Sequence, residues 1–263
     1  MNFNSNNPFL KNDKFSKDEP KTAAEVATSQ TVERFESIEN SAPMTIQGTV
    51  NKSFILLALL LVGAFGTWYL TMLGYNSMIL TIGGAIVGFI LVLIAGFKPH
   101  LSGKLAPGYA LFQGLFIGGL SAIFEMKFPG IVIQAVLATF VTFLICLGLF
   151  KFNIVKVNQT FRNVVVASTL AIATYYLLSF IGGLIFDFQA FHHGNSLMSI
   201  GFSVFVIVIA ALNLFLDFDM IQESAKNKLP KYMEWFGAMG LLITLVWLYV
   251  EFLRLLSKLS SRD

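Results

Sequence analysis

The stretch GFSVFVIVIAALNLFLDFDMIQ, residues 201–222, decides the fold class. Taken alone, VFVIVIA (204–210) is rich in β-branched residues and fits a barrel strand. A membrane barrel strand, however, alternates apolar and polar residues over about ten positions. This run does not alternate, and it belongs to an apolar segment from 197 to 221. That segment exceeds the roughly 18–20 residues that cross a bilayer as helix. A helix in lipid also satisfies its own backbone hydrogen bonds, which an isolated strand cannot do. The stretch therefore reads as a membrane-spanning helix that ends on two carboxylates, Asp217 and Asp219.

The same reading extends along the chain. Apolar residues make up 56% of the 263 positions and charged residues 13%, where a soluble domain carries about 25% charged residues. Six further apolar runs cover about 53–73, 76–97, 105–126, 129–150, 163–186 and 233–256. The expected fold is an all-α integral membrane protein with seven spans over residues 51–263. Residues 1–50 are rich in Asn, Ser, Lys and Glu and lack the apolar residues for a core. A disordered tail is expected there, with room for a short helix at Thr22–Ile38. Its polar start has no short apolar region with a cleavage site, so no cleaved signal peptide is expected.

Several function classes find no support. A net charge of +3 with no basic patch is not a nucleic-acid footprint. The single Cys146 allows no intramolecular disulfide and makes a metal cluster implausible. No P-loop, HExxH or GxSxG occurs, so neither an enzyme nor a cofactor is expected. The pair His192 and His193 could serve as a metal or pH site, but adjacent loop histidines are more often incidental.

Loop charges set the orientation. Lys98, Lys104, Lys151, Lys156, Arg162, Lys226, Lys228 and Lys231 fall in one set of loops, and Lys127 alone in the other. The positive-inside tendency then places the tail in the cytoplasm. Seven crossings put the C-terminus outside, although Arg254, Lys258 and Arg262 lie there, so a re-entrant last span is the alternative. GGAIVG (83–88), GLFIGG (114–119) and the pair Gly237 and Gly240 suggest close helix packing. Pro99 and Pro107 read as helix-end punctuation.

Ionisable residues inside a span are functional candidates. Asp217 and Asp219 are two positions apart, about 200° around a helix, so they cannot share a face. The plain alternative is that both end the span and pair with Lys226 or Lys228. Glu251 lies on the face of Thr244 and three positions before Arg254, with which it can pair. Glu125, Asp187 and Glu251 fall in the outer half, an arrangement that would suit a cation mouth.

Four ordered motifs carry a family resemblance. GYALFQGLFIGGLSAIFE (108–125), PGIVIQAVLATFVTFLIC (129–146), FLDFDMI (215–221) and EWFGAMGLLITLVWLYVEFLRLL (234–256) resemble successive spans of the Bax inhibitor family, and most closely its bacterial branch. The resemblance covers roughly residues 50–257 and leaves the tail outside. It implies a seven-helix bundle with the last helix central, located in a bacterial inner membrane. It also implies a pH-sensitive calcium leak built on two Asp of spans six and seven, with a basic latch residue. Asp217 matches the first Asp, but Thr244 stands at the position of the second. The resemblance selects Asp217, sets Thr244 as its neighbour and matches Glu125 to the family's Glu, while it leaves Asp219 as a helix-end charge. With the acids read from the spans, the candidate ion pathway is Asp217, Asp219, Thr244, Glu125 and Glu251, with Lys98, Lys104 or Arg162 as a latch on Asp217. Calcium would be the transported ion. The competing expectation is a regulator that binds a membrane protease or stress-response protein through the tail. A transporter is weaker, since no internal repeat is evident.

Overall fold

The structure, a computed structural model, describes residues 42–186, 194 and 196–261. It contains seven long helices among them: α1 (Ile46–Met72), α2 (Met78–Phe97), α3 (Ser102–Lys127), α4 (Ile131–Lys151), α5 (Gln159–Phe186), α6 (Leu197–Lys226) and α7 (Met233–Ser260). All seven are long and apolar enough to cross a membrane. VFVIVIA lies within α6, and the one β-bridge among the described residues joins Pro43 to Pro230. The helix around Thr22–Ile38 falls outside the described residues.

Local chemistry opens the helices. Thr45 caps α1, its Oγ1 accepting from the Gly48 amide at 2.9 Å. Asn158 caps α5, accepting from the Phe161 amide at 2.7 Å, and Ser196 caps α6, accepting from Ser199 at 3.2 Å. Such caps satisfy amides that have no partner within the helix. Helix α1 already begins at Ile46, so its first turns take in part of the stretch read as tail. Pro99 sits at the break between α2 and α3, in a single 3₁₀ turn. Pro107, expected to end a helix, instead lies inside α3. It is the sixth residue of the helix, in its second turn, and the hydrogen bond it forgoes is the one to the Gly103 carbonyl.

Helix α7 is the centre of the bundle, packed against α1, α3, α4 and α6. It is an uninterrupted 28-residue helix, and 61% of its apolar window is buried against 44% or less in the other six. Leu242, Val246, Tyr249 and Leu253 face Leu56, Leu60, Tyr109 and Ile117 of α1 and α3. Leu241 and Leu248 face Leu214, Phe215 and Phe218 of α6. Helices α1 and α3 touch backbone to backbone. A Cβ on Gly114 would stand 2.2 Å from the Leu60 carbonyl oxygen, and one on Gly118 2.1 Å from that of Ala64. Only glycine permits this approach. Helix α5 packs mainly on α6, where the Asn213 amide donates to Thr169 Oγ1 at 2.8 Å. Outward faces expose Phe54, Ile79, Phe97 and Leu170, as contact with lipid requires.

Candidate functional site between the sixth and seventh helices

Helices α6 and α7 are antiparallel neighbours joined by a short turn at 227–232. The starts of α1, α3, α5 and α7 share the tail-side end of the bundle, and the C-terminus of α7 lies at the far end. Asp217 lies on α6, toward the tail side. Its residue surface is only half-buried, yet Oδ2 is sealed from solvent and has no hydrogen-bond partner among the described residues. Thr244 of α7 lies beside this carboxylate, and Gly240 faces its Oδ1. The Thr244 hydroxyl donates a long 3.4 Å bond to the Gly240 carbonyl, one turn back on its own helix. The site thus offers a buried carboxylate oxygen against a hydroxyl, without a basic partner among the described ion pairs.

Asp219 takes the opposite side of α6, as the helical turn requires. Arg162 of α5 donates to it at 2.8 Å and to Glu223 at 3.5 Å. The basic residue expected on Asp217 is therefore engaged elsewhere, because α5 packs on the other flank of α6. Lys98 and Lys104 are exposed at the α2–α3 junction and form no ion pair among the described residues.

The two expected outer acids are held by the protein's own donors. Glu125 caps α4, its oxygens accepting from the Gly130 and Val132 amides at 2.6 and 3.2 Å. Glu251 is 1% exposed. It accepts from Arg254 at 3.0 Å and from the Tyr176 hydroxyl at 3.1 and 3.2 Å. Asp187, His192 and His193 lie outside the described residues.

The match to known families decides what kind of bundle this is. The chain matches the family Bax inhibitor 1 like over residues 7–261. It belongs to that family. The match reaches well into the stretch that the sequence motifs left outside the resemblance. No curated protein matches the chain. In this Bax inhibitor 1-like bundle, Asp217 of α6 lies beside Thr244 of α7.

Sequence reasoning missed a second set of buried polar residues. Glu234 at the start of α7 is 2% exposed and pairs with Lys52 of α1. Lys258 near the end of α7 is 8% exposed. Its Nζ donates to Ser203 Oγ at 2.7 Å and to the Ser199 carbonyl at 3.2 Å. A spacing signal was available: Thr244, Glu251 and Lys258 recur every seventh residue, as do Ser203, Ala210, Asp217 and Ser224 on α6.

Proposed function

We propose that this Bax inhibitor 1-like protein is a cation leak pathway of the membrane, with calcium as the passing ion and Asp217 as its contact and gate. The observation that supports the reading is the sealed, unpartnered Oδ2 of Asp217, facing Thr244 between α6 and α7. An unpaired carboxylate oxygen in low dielectric is costly, and a cation or a proton relieves it. The same atom can hold either, so conduction is modulated by pH. Calcium is the hard, oxygen-seeking ion that a carboxylate and a hydroxyl suit. On either side of Thr244, Leu241 and Leu248 of α7 pack with Leu214, Phe215 and Phe218 of α6, so conduction requires α6 and α7 to part. In this reading the tail and the Lys-rich loops face the cytoplasm, following the loop-charge asymmetry, and the membrane is a bacterial inner membrane, as the sequence resemblance suggests.

Calcium flux into proteoliposomes at two pH values tests it. The wild type conducts with a pH-dependent rate, and Asp217→Asn, which keeps shape and loses charge, changes the rate and removes the pH difference. A well-folded wild type without flux at either pH overturns the channel. The tail-docking regulator would then be pursued by partner capture with and without residues 1–42.

A further inference from the structure

Residues at sevenfold spacing on α6 and α7, most of them polar, form one seam. On α6 the residues are Ser203, Ala210, Asp217 and Ser224; on α7 they are Gly237, Thr244, Glu251 and Lys258. Two contacts fix the antiparallel register. Lys258 meets Ser203 at the far end, and Asp217 lies against the Gly240–Thr244 turn nearer the tail side. Moving two sevenfold steps down α6 moves the same two steps back along α7, so the register holds between the contacts. The stretch from Lys258 to Thr244 is about 21 Å at the helical rise. The register sets Ala210, a side chain of one carbon, level with Glu251.

Lys258 is the unexpected member. A lysine in the last turn of a spanning helix normally extends its amine toward the headgroups. Arg254, one turn earlier, does lie partly in the open, with 42% of its side chain exposed. Lys258 turns inward instead. It is not needed as the counter-ion of Glu251, which Arg254 and Tyr176 already hold. Its amine sits against the first turns of α6, where the helix dipole is positive and unfavourable for a cation. What receives it is a hydroxyl and a backbone carbonyl, with the Glu251 carboxylate close enough to act on it electrostatically. Oxygen sets of this kind also receive metal cations in pathways.

We propose that Lys258 is a tethered cation that closes the far end of the α6–α7 seam, its amine occupying the oxygen site that an entering ion would use. This rests on the cation-pathway reading of Asp217. Withdrawal of the amine from Ser203 would open the mouth, and its positive charge there would repel divalent ions more than monovalent ones.

Calcium flux through proteoliposomes of wild type, Lys258→Met, Lys258→Arg, Ser203→Ala and Lys258→Met/Asp217→Asn separates the outcomes. Methionine keeps the length of the side chain and removes its charge. The expected result is a rise of about tenfold in Lys258→Met, the scale of removing a unit charge from the path of a divalent ion. Lys258→Arg stays near wild type, Ser203→Ala rises by less, and the double variant falls back. A lysine that merely staples the helices would lower the unfolding temperature in Lys258→Met and leave flux per folded protein unchanged; that result overturns the proposal and spares the pathway. Absence of flux from every variant, wild type included, overturns both. Should Lys258→Met not fold, Ser203→Ala decides: raised flux supports the tethered cation, and wild-type flux overturns it.

Discussion

Lys52 of α1 and Glu234 of α7 lie 182 positions apart in the chain and meet as an ion pair at the tail-side end of the bundle. The Thr45 amide and hydroxyl also donate to Glu234 Oε1, at 2.9 and 3.1 Å. Met44 donates from its amide to the Leu229 carbonyl at 2.8 Å and is 3% exposed. The chain therefore enters α1 as a strap laid over the α6–α7 turn. The Lys52 ammonium also lies 5.4 Å from the Trp235 ring centroid. The first helix is thereby tied to the central one.

Removing one partner of a buried ion pair leaves an uncompensated charge. Lys52→Met is expected to destabilise the bundle by about 3 kcal/mol, the lower end for such pairs because Thr45 still donates to Glu234. Lys52→Met/Glu234→Leu recovers most of that loss. Thermal unfolding in detergent measures both, and an unchanged midpoint in Lys52→Met would falsify the role given to the pair.

The exposed pair at Arg162 behaves differently. Side chains of Arg162, Asp219 and Glu223 are 44%, 27% and 59% exposed. Water screens such pairs, so Arg162→Ala should cost about 0–1 kcal/mol. A loss as large as that of Lys52→Met, in the same unfolding experiment, would contradict this assignment.

Gly118→Ala puts a Cβ 2.1 Å from the Ala64 carbonyl oxygen, which is backbone and cannot swing aside. The α1–α3 contact must spread, at about 1–3 kcal/mol. Gly96 has nothing within 4 Å of a built Cβ, so Gly96→Ala is neutral or gains up to about 1 kcal/mol of helix propensity. Equal unfolding midpoints for the two variants would count against the close approach.

Ser121 of α3 and Tyr249 of α7 share a buried 2.6 Å hydrogen bond. Ser121→Ala leaves the tyrosine hydroxyl without this partner and should cost about 1–3 kcal/mol, whereas Tyr249→Phe should cost about 1 kcal/mol. A double-mutant cycle on unfolding free energies is expected to show coupling, and additivity of the two changes would refute the bond.

Much of the bundle was legible from particular runs. VFVIVIA could be assigned to helix because its apolar segment continued past any strand length, and α6 indeed runs through Leu197–Lys226. Boundaries were less legible. The ends of α6 and α7 extend beyond the apolar runs into Gln222–Lys226 and Ser257–Ser260, since helix geometry persists where apolarity stops. Pro107 misled because a packed membrane helix tolerates a proline within it at the loss of one backbone hydrogen bond. In the candidate site, the opposite directions of Asp217 and Asp219 followed from helical geometry alone. The cap made by Glu125 and the pairing of Arg162 with Asp219 could not be read, because each depends on which flank of a helix its neighbour occupies.

Membrane class, seven spans and the two faces of the Asp217–Asp219 pair were determined by the sequence itself. Span length and apolarity are local properties matched to bilayer thickness, and side-chain direction follows from 3.6 residues per turn. The joining of Lys52 to Glu234, and the inward turn of Lys258 onto Ser203, were decided only by tertiary structure. Those partners lie 182 and 55 positions apart. Lipid gives apolar helices no fixed rotation against one another, so packing of small residues and buried polar contacts sets the register.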